Sequence, residues 1–287
     1  LLVGVLGLVL DQIRRRAELR EAIDRTLALL EAPEGYRCAI LGGSDTGAME
    51  AAIWSLLGSR PVDVFAWDTF GARWLKDVRD ELKLKDAKVY EASGGKTPDF
   101  TKARKDADIV FTWNATAAGA KIPDTDWIAD DREGLTLVDA TSAAFALELD
   151  WPKIDVLTFS WQKSMGGEAQ HGMIVMSPRA IERLKDHTPD WPVPRMMQLK
   201  NADGMNDALF EGKTLNTVSL MATEDYLSAL RWAAKEGWDA LVPVGGRVGR
   251  GCSRPRGLVA RAGRPRGPTP PAPSHGVRWP GLAGAWA

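Results

Sequence analysis

The sequence predicts an α/β protein whose mainly parallel β-sheet is covered by helices on both faces. Short apolar runs of strand length alternate with longer segments in which apolar residues recur at helical spacing. Two of the strand-like runs lead directly into polar residues, Asp139 in one case and Lys163 in the other. Because ligands of such sheets bind beyond the carboxyl ends of the strands, these residues predict a binding site at that edge.

The predicted elements follow one another along most of the chain. The first is a helix over residues 11–30, where Ile13, Leu19, Ile23 and Leu27 recur at roughly helical spacing before a Pro-Glu-Gly turn ends it. Apolar runs of four or five residues predict strands over 37–41, 62–66, 87–90, 108–112, 135–138, 156–159 and 173–176. The segments between and after them predict helices over 48–57, 72–82, 100–106, 178–185 and 217–238.

The two ends differ in character from the rest of the chain. Residues 1–10 form an atypical apolar segment that precedes three arginines, whereas a secretory signal places its positive charge first, so we expect a cytoplasmic protein. Residues 241–287 hold ten glycines, eight prolines and eight arginines, without lysine, aspartate or glutamate. Such a composition cannot form a core, so residues 243–287 are predicted to be a disordered tail after a domain over 11–242.

The overall composition, 45% hydrophobic and 26% charged, is ordinary for a soluble globular protein. Thirty-seven basic and 38 acidic residues leave a net charge of −1, which gives no indication of nucleic acid or a membrane surface as a partner. No apolar run is long enough to cross a bilayer. The chain has no metal-ligand spacing and no GxSxG nucleophile turn, so no metal is predicted.

Lys163 and Asp139 are the candidate catalytic residues. A lysine at the end of an apolar strand is costly unless it is paired or used covalently. Pyridoxal phosphate chemistry needs a lysine that forms a Schiff base and a carboxylate that keeps a proton on the pyridine nitrogen. The two residues therefore predict a site for pyridoxal 5'-phosphate.

Several further residues are candidates for holding the phosphate of this cofactor. The GGSDTG turn, with Asp45 and Thr46, precedes a helix, and helix N-termini bind anions. An ordinary capped helix start is the alternative, and a dinucleotide site is disfavoured because the G-x-G-x-x-G spacing is absent. Gln162 offers an amide, while Asn216 and Thr217 are either phosphate contacts or the N-cap of the helix that follows them.

Two residues are candidates for contacts with the cofactor ring. Phe70 follows a predicted strand and is placed either to stack on a flat ring or to pack in the core. Thr116 follows another strand and is placed either to donate a hydrogen bond to a ring substituent or to cap a loop.

Six segments together resemble the phosphoserine aminotransferases, which are class V, fold-type I enzymes that use pyridoxal phosphate. They are GSDTGAMEAAIWSLLG, FAWDTFGARW, TWNATAAG, VDATSAAFALELDW, TFSWQKSMGGEAQHGM and GKTLNTVSL. The resemblance runs from about residue 11 to residue 242 and implies the large domain of that fold, with the small C-terminal domain largely missing. It implies transfer of an amino group between glutamate and 3-phosphohydroxypyruvate, which gives phosphoserine for serine biosynthesis.

The resemblance also implies a role for each candidate residue. Lys163 would form the Schiff base, and Asp139 would pair with the pyridine nitrogen. Phe70 would stack on the ring, and Thr116 would bond its 3-oxygen. Asp45, Thr46 and Gln162 would lie around the cofactor phosphate. Asn216 and Thr217 would contact the phosphate of the cofactor in the other subunit, which implies a homodimer.

The resemblance stops at both ends of the chain. Residues 1–10 stand where the family has a Ser-His-Arg-like segment for the substrate phosphate, and the Arg/Gly/Pro run stands where it has a small domain. The sequence therefore predicts better cofactor binding than turnover of the phosphorylated acceptor. Another class V aminotransferase of the serine–glyoxylate type, or a non-catalytic fragment that binds pyridoxal phosphate, are the alternatives.

Overall fold

The structure is a computed structural model that describes residues 2–201 and 204–237. The tail predicted over 243–287 lies outside the described residues, as does the predicted domain boundary at residue 242. Seven strands form the main sheet, in the spatial order β1-β7-β6-β5-β4-β2-β3. Their bounds are Arg37–Gly42 (β1), Val62–Ala66 (β2), Ala87–Glu91 (β3), Asp108–Thr112 (β4), Thr136–Asp139 (β5), Val156–Ser160 (β6) and His171–Met176 (β7).

Six of these strands run parallel and β7 runs against them, since it pairs antiparallel with both β1 and β6. The prediction of a mainly parallel sheet is confirmed, and all seven predicted strands are present. The reversed direction of β7 brings its first residue, His171, to the edge where the parallel strands end, next to Gly42 of β1. That edge holds the candidate site.

Five α-helices are described, and four of them begin earlier or later than predicted. They are Leu2–Leu29 (α1), Ser44–Leu56 (α2), Thr69–Lys76 (α3), Pro178–Asp186 (α4) and Leu220–Glu236 (α5). A π-helical turn, Asp77–Glu81, continues α3. Four 3-10 turns (Phe100–Lys102, Trp151–Lys153, Arg195–Met197 and Asp207–Glu211) and a small hairpin of β8 (Lys200–Asn201) and β9 (Gly204–Met205) complete the fold.

The differences from the predicted helix bounds have local causes. Helix α2 begins at Ser44 instead of residue 48 because Gly43 adopts a left-handed conformation, with φ 86°, and starts the helix early. Helix α5 begins at Leu220 instead of residue 217 because the Ser219 side chain caps it by accepting a hydrogen bond from the Ala222 N–H. The helix predicted over 100–106 is only the 3-10 turn Phe100–Lys102, and α1 starts before residue 11.

The helices cover the two faces of the sheet as predicted, and each face has its own core. Alternate strand residues such as Ile40, Phe111 and Phe159 pack with α1 and α5, whereas Leu41, Val110 and Leu137 pack with α2, α3 and α4. This alternation is the pleat of a sheet buried on both sides. Asp139 continues the register of Leu137, so its side chain points to the face of α2 and α3.

A buried ion-pair cluster lies at the opposite end of the sheet, where the parallel strands begin. Asp155 is 1% exposed and accepts hydrogen bonds from Arg132 at 3.0 Å, from Arg179 at 3.0 Å and from the Ser177 hydroxyl at 3.0 Å. The Thr136 N–H donates to it as well, at 3.0 Å. Because four donors surround one buried carboxylate, the cluster fixes the start of β5 and of α4.

Candidate cofactor site

Asp139 ends β5 in a buried position where two donors hold its carboxylate. Its Oδ2 accepts a hydrogen bond from Trp74 Nε1 at 3.2 Å, and its Oδ1 accepts one from the Thr141 N–H at 3.0 Å. Only 6% of the residue is exposed, and this burial raises the pKa of the carboxyl group. The two hydrogen bonds act against burial, because both favour the ionised form.

Asp45 lies beside Asp139, in the first turn of α2. It is 6% exposed, and its Oδ1 has no hydrogen-bond partner. Burial, together with the nearby charge of Asp139, raises its pKa well above the ordinary value for aspartate. The side chain predicted to lie near a phosphate thus faces another carboxyl group, and only its backbone lies at the helix start.

The N-terminus of α2 has no side-chain cap, so the interpretation of the GGSDTG turn as an ordinary capped helix start is wrong. Gly43 supplies the N-cap residue with its backbone alone, and Thr46 is half-buried in the first turn. A Cβ atom on Gly47 would lie 2.1 Å from the Gly42 carbonyl oxygen, so only glycine fits there. The tight turn leaves a helix start suited to an anion.

Lys163 lies in the turn that follows β6, with an exposed side chain. Its carbonyl oxygen accepts a hydrogen bond from the Gly166 N–H at 3.0 Å, which fixes the turn. Two residues before it, Trp161 is fully buried and stacks on Tyr226 of α5, with ring centroids 4.5 Å apart and planes at 7°. Gln162 is half-buried, and its Oε1 has no partner. The lysine therefore lies exposed in the turn on a rigid support, and not at the strand end itself, because β6 ends at Ser160. The sequence argument from the cost of a lysine at a strand end is wrong, and the place of Lys163 beside this edge remains.

Phe70 and Thr116 line the same cavity, of about 360 Å³, at the ends of β2, β3 and β4. The Thr116 hydroxyl is 3.1 Å from that of Ser142, and its N–H donates to Asp68 Oδ2 at 3.3 Å. Phe70 is half-buried in α3, with the Arg73 guanidinium 5.2 Å from its ring centre. The structure thus brings the two predicted ring contacts together.

Asn216 and Thr217 precede α5 without capping it, so their interpretation as its N-cap is wrong. A Cβ atom on Gly42 would lie 3.0 Å from Asn216 Oδ1, so the Asn216 side chain packs at the entrance to α2. Thr217 is exposed. The segment is attached to the sheet by the Ser219 N–H, which donates to His171 Nε2 at 3.0 Å.

Buried polar atoms without a partner concentrate at this edge. In the described part of the chain they include Asp45 Oδ1, Thr112 Oγ1, Asn114 Oδ1, Thr141 Oγ1, Trp161 Nε1, Gln162 Oε1 and His171 Nδ1. Buried polar groups are normally satisfied by protein, water or a ligand. Together with the uncapped start of α2 and the exposed lysine, these atoms fit a polar cofactor that carries an anionic group.

Comparison with known proteins gives the family relationship. No protein-family model matches the chain. It is 50% identical over 222 residues to the phosphoserine aminotransferase of Methanosarcina mazei. The aligned residues cover 77% of this chain and 60% of that protein. The crystal structure of a phosphoserine aminotransferase from Cytophaga hutchinsonii matches with a TM-score of 0.66 at 25% identity, over 79% of this chain and 63% of that one. This chain is thus similar in sequence to the phosphoserine aminotransferases over about 60% of their length.

The fold is accordingly that of the fold-type I aminotransferases, as predicted. A pyridoxal phosphate-bound phosphoserine aminotransferase from Trichomonas vaginalis shares it, with a TM-score of 0.58 at 18% identity over 78% of this chain and 62% of that one. The chain spans about 60% of the length of the curated relatives that it matches first.

Three residues of the site are not predicted from the sequence: Trp74, Thr141 and Asp68. Trp74 follows Phe70 by one helical turn, and this i, i+4 spacing on one face is the signal that indicates it. Asp68 is the N-cap of α3, which the aspartate-before-helix pattern also indicates. Thr141 acts through its backbone, which leaves no sequence signal.

Groups of His, Cys, Asp and Glu that would hold a metal ion are absent from the described residues. None of the helices described is long and apolar enough to cross a membrane.

Proposed function

We propose that this chain binds pyridoxal 5'-phosphate and transfers an amino group between glutamate and 3-phosphohydroxypyruvate, giving phosphoserine in serine biosynthesis. The observation that carries the proposal is that Asp139 ends β5 and Lys163 follows the end of the neighbouring strand β6, at the edge where unsatisfied polar atoms concentrate. The 50% identical phosphoserine aminotransferase of Methanosarcina mazei supports the choice of reaction.

Each candidate residue has a place in the proposed site. The N-terminus of α2, with Asp45 and Thr46, would receive the cofactor phosphate through its backbone N–H groups. Gln162 would add its side-chain amide, whose oxygen is buried without a partner. On the ring, Phe70 would provide a stacking surface and Thr116 a hydroxyl donor.

Asp139 and Lys163 would carry the chemistry. When bound, pyridoxal phosphate supplies an electron sink for the carbon that loses and regains a proton. The Asp139 carboxylate would keep the ring nitrogen protonated, since an anion favours a nearby cation. Lys163 Nζ would hold the cofactor covalently and, once released, carry a proton at the reacting carbon.

A homodimer is part of the proposal, with Asn216 and Thr217 contacting the phosphate of the partner's cofactor. Two exposed apolar side chains near this segment support an interface: Met196, which is 46% exposed, and Met221, which is 73% exposed. The Met196 side chain lies beside Gly42, as Asn216 does. In the proposed dimer the partner subunit would cover these two side chains, since contact surfaces are often apolar.

The reaction is tested by an acceptor panel with glutamate as the donor, at saturating pyridoxal phosphate. We expect 3-phosphohydroxypyruvate to be the preferred acceptor, with much slower turnover than in a full-length homologue because the segments for the substrate phosphate are replaced. We expect Lys163→Ala to abolish transfer, while Lys235→Ala, at an exposed lysine of α5, retains it. Preference for glyoxylate would instead indicate the serine–glyoxylate type. If the cofactor binds at Lys163 and no acceptor is turned over, the chain is a non-catalytic protein that binds pyridoxal phosphate.

A further inference from the structure

Two buried carboxyl groups face each other at the point where the ring nitrogen of the proposed cofactor would be held. Asp45 reaches this point from the first turn of α2, and Asp139 reaches it from the end of β5. Each residue is 6% exposed, and the two carboxyl groups interact directly. Carboxylates in contact cannot both remain ionised when they are buried, so the pair retains a proton.

The surroundings of the two groups are unequal. Asp139 accepts hydrogen bonds from two N–H groups, those of Trp74 Nε1 and of the Thr141 backbone. Asp45 has only the hydroxyls of Thr158 and Thr141 near its carboxyl group, and its Oδ1 has no partner. Anionic charge is therefore better stabilised on Asp139, and the proton is better placed on Asp45.

The remaining neighbours do not supply a compensating charge. β6 contributes the neutral Thr158, and β7 contributes His171, which bridges to Ser44 next to Asp45. Burial lowers the pKa of His171, which favours its neutral form. Lys163 lies in the exposed turn after β6, and among the ion pairs of the described residues none involves Asp45 or Asp139.

We propose that Asp45 is a neutral carboxylic acid that donates a hydrogen bond to the Asp139 carboxylate, and so positions Asp139 toward the ring nitrogen. Asp45 is then a positioning residue, because it acts through Asp139. The part that concerns the ring depends on the proposed function, whereas the shared proton is a property of the cofactor-free protein.

The shared proton predicts how stability depends on pH. Asp45 has its ordinary pKa in the unfolded chain and a higher one in the folded protein. The folded state therefore holds a proton that the unfolded state has released, and folding stability falls as the pH rises above about 4 toward the raised pKa. Asparagine at position 45 keeps a hydrogen-bond donor and cannot ionise. Asp45→Asn should therefore not show this loss of folding stability as the pH rises.

The first test measures thermal unfolding of the cofactor-free full chain from pH 5 to pH 8.5. We expect the Tm of Asp45→Asn to rise relative to the unsubstituted protein as the pH rises. Asp130→Asn removes the same charge at a side chain that is 91% exposed, and we expect its Tm to follow the unsubstituted protein at every pH. A constant difference between Asp45→Asn and the unsubstituted protein would overturn the shared proton.

Infrared spectroscopy tests the protonation state directly. Asp77, whose pKa is raised to about 7, also contributes a neutral carboxylic acid at pH 7, so the measurement is made in the Asp77→Asn background. In that background we expect the carbonyl band of a neutral carboxylic acid at pH 7, retained when Asp130→Asn is added and reduced when Asp45→Asn is added. Should the variant with Asp45→Asn fail to fold, Asp77→Asn alone still decides, because absence of the band at pH 7 contradicts the proposal and its persistence supports it.

The positioning role is tested by the affinity for pyridoxal phosphate in a fluorescence titration. A hydrogen bond to a charged group contributes about 1.5–3 kcal/mol, so we expect Asp45→Ala to bind at least about tenfold more weakly than Asp45→Asn. Equal affinities would overturn the positioning role. If the unsubstituted protein does not bind the cofactor, the proposed function fails, and the pH and infrared measurements still decide the shared proton.

Discussion

Replacement of Trp74 by phenylalanine tests whether Asp139 is held as an anion. Trp74 is 1% exposed, and its Nε1 donates to Asp139 Oδ2 at 3.2 Å. Phenylalanine keeps most of the aromatic contact with the core and removes the donor. Since the bond favours the ionised carboxyl group, its loss raises the pKa of Asp139 further.

Trp67 provides a matched control for this substitution. It is 3% exposed, and its Nε1 donates at 3.2 Å to the backbone oxygen of Ala120, which is uncharged. Trp67→Phe and Trp74→Phe thus remove the same volume and one hydrogen bond each. A neutral hydrogen bond contributes about 0.5–1.5 kcal/mol and one to a charged group about 1.5–3 kcal/mol. We expect Trp74→Phe to lose about 1 kcal/mol more than the control, or about 2–4 °C in Tm.

Thermal unfolding of both variants at pH 4.5 and pH 8 distinguishes the charge effect from the packing effect. The extra loss of Trp74→Phe should be present at pH 8 and shrink at pH 4.5, because protonation of Asp139 turns its bond into a neutral one. The loss of Trp67→Phe should be similar at both pH values. An equal loss for the two variants at pH 8 would refute the claim that Asp139 is an anion held by Trp74.

Three other substitutions test the turn, the ion-pair cluster and an unsatisfied acid. Gly47→Ala places a Cβ atom 2.1 Å from a backbone oxygen, so we expect a loss of about 1–3 kcal/mol in thermal unfolding and weaker binding of pyridoxal phosphate. Asp155→Ala leaves Arg132 buried without its carboxylate and should cost about 3–5 kcal/mol in urea unfolding. Burial and neighbouring carboxylates raise the pKa of Asp77 to about 7, so stability falls between about pH 4 and pH 7. Asp77→Asn should remove that fall, with a gain of at most about 1 kcal/mol at pH 8 because the group is half-exposed.

The strands could be predicted because buried parallel strands are nearly continuous apolar runs, such as the one that contains Phe111. Their direction could not, since a run like that of β7 has the same composition whichever way it points. The start of α2 was predicted too late because the left-handed conformation of Gly43, rather than a side-chain cap, begins the helix.

The same limit applies to the candidate site: single residues could be predicted from the sequence, whereas contacts between distant segments could not. Asp139 and Lys163 are visible in the sequence because each follows an apolar run. The contacts of Asp139 with Trp74 and with Asp45 join distant parts of the chain, so they depend on how α2 and α3 pack on the sheet. The roles of Asn216 and Thr217 across an interface stay a prediction.

Covalent capture of the cofactor tests the central claim most directly. The full chain is incubated with pyridoxal phosphate, reduced with borohydride and digested, and the modified peptide is identified by mass spectrometry. We predict that the modification lies on Lys163, is lost in Lys163→Ala and is retained in Lys235→Ala. Modification that persists in Lys163→Ala at the same stoichiometry, or that spreads evenly over the surface lysines, would contradict the account.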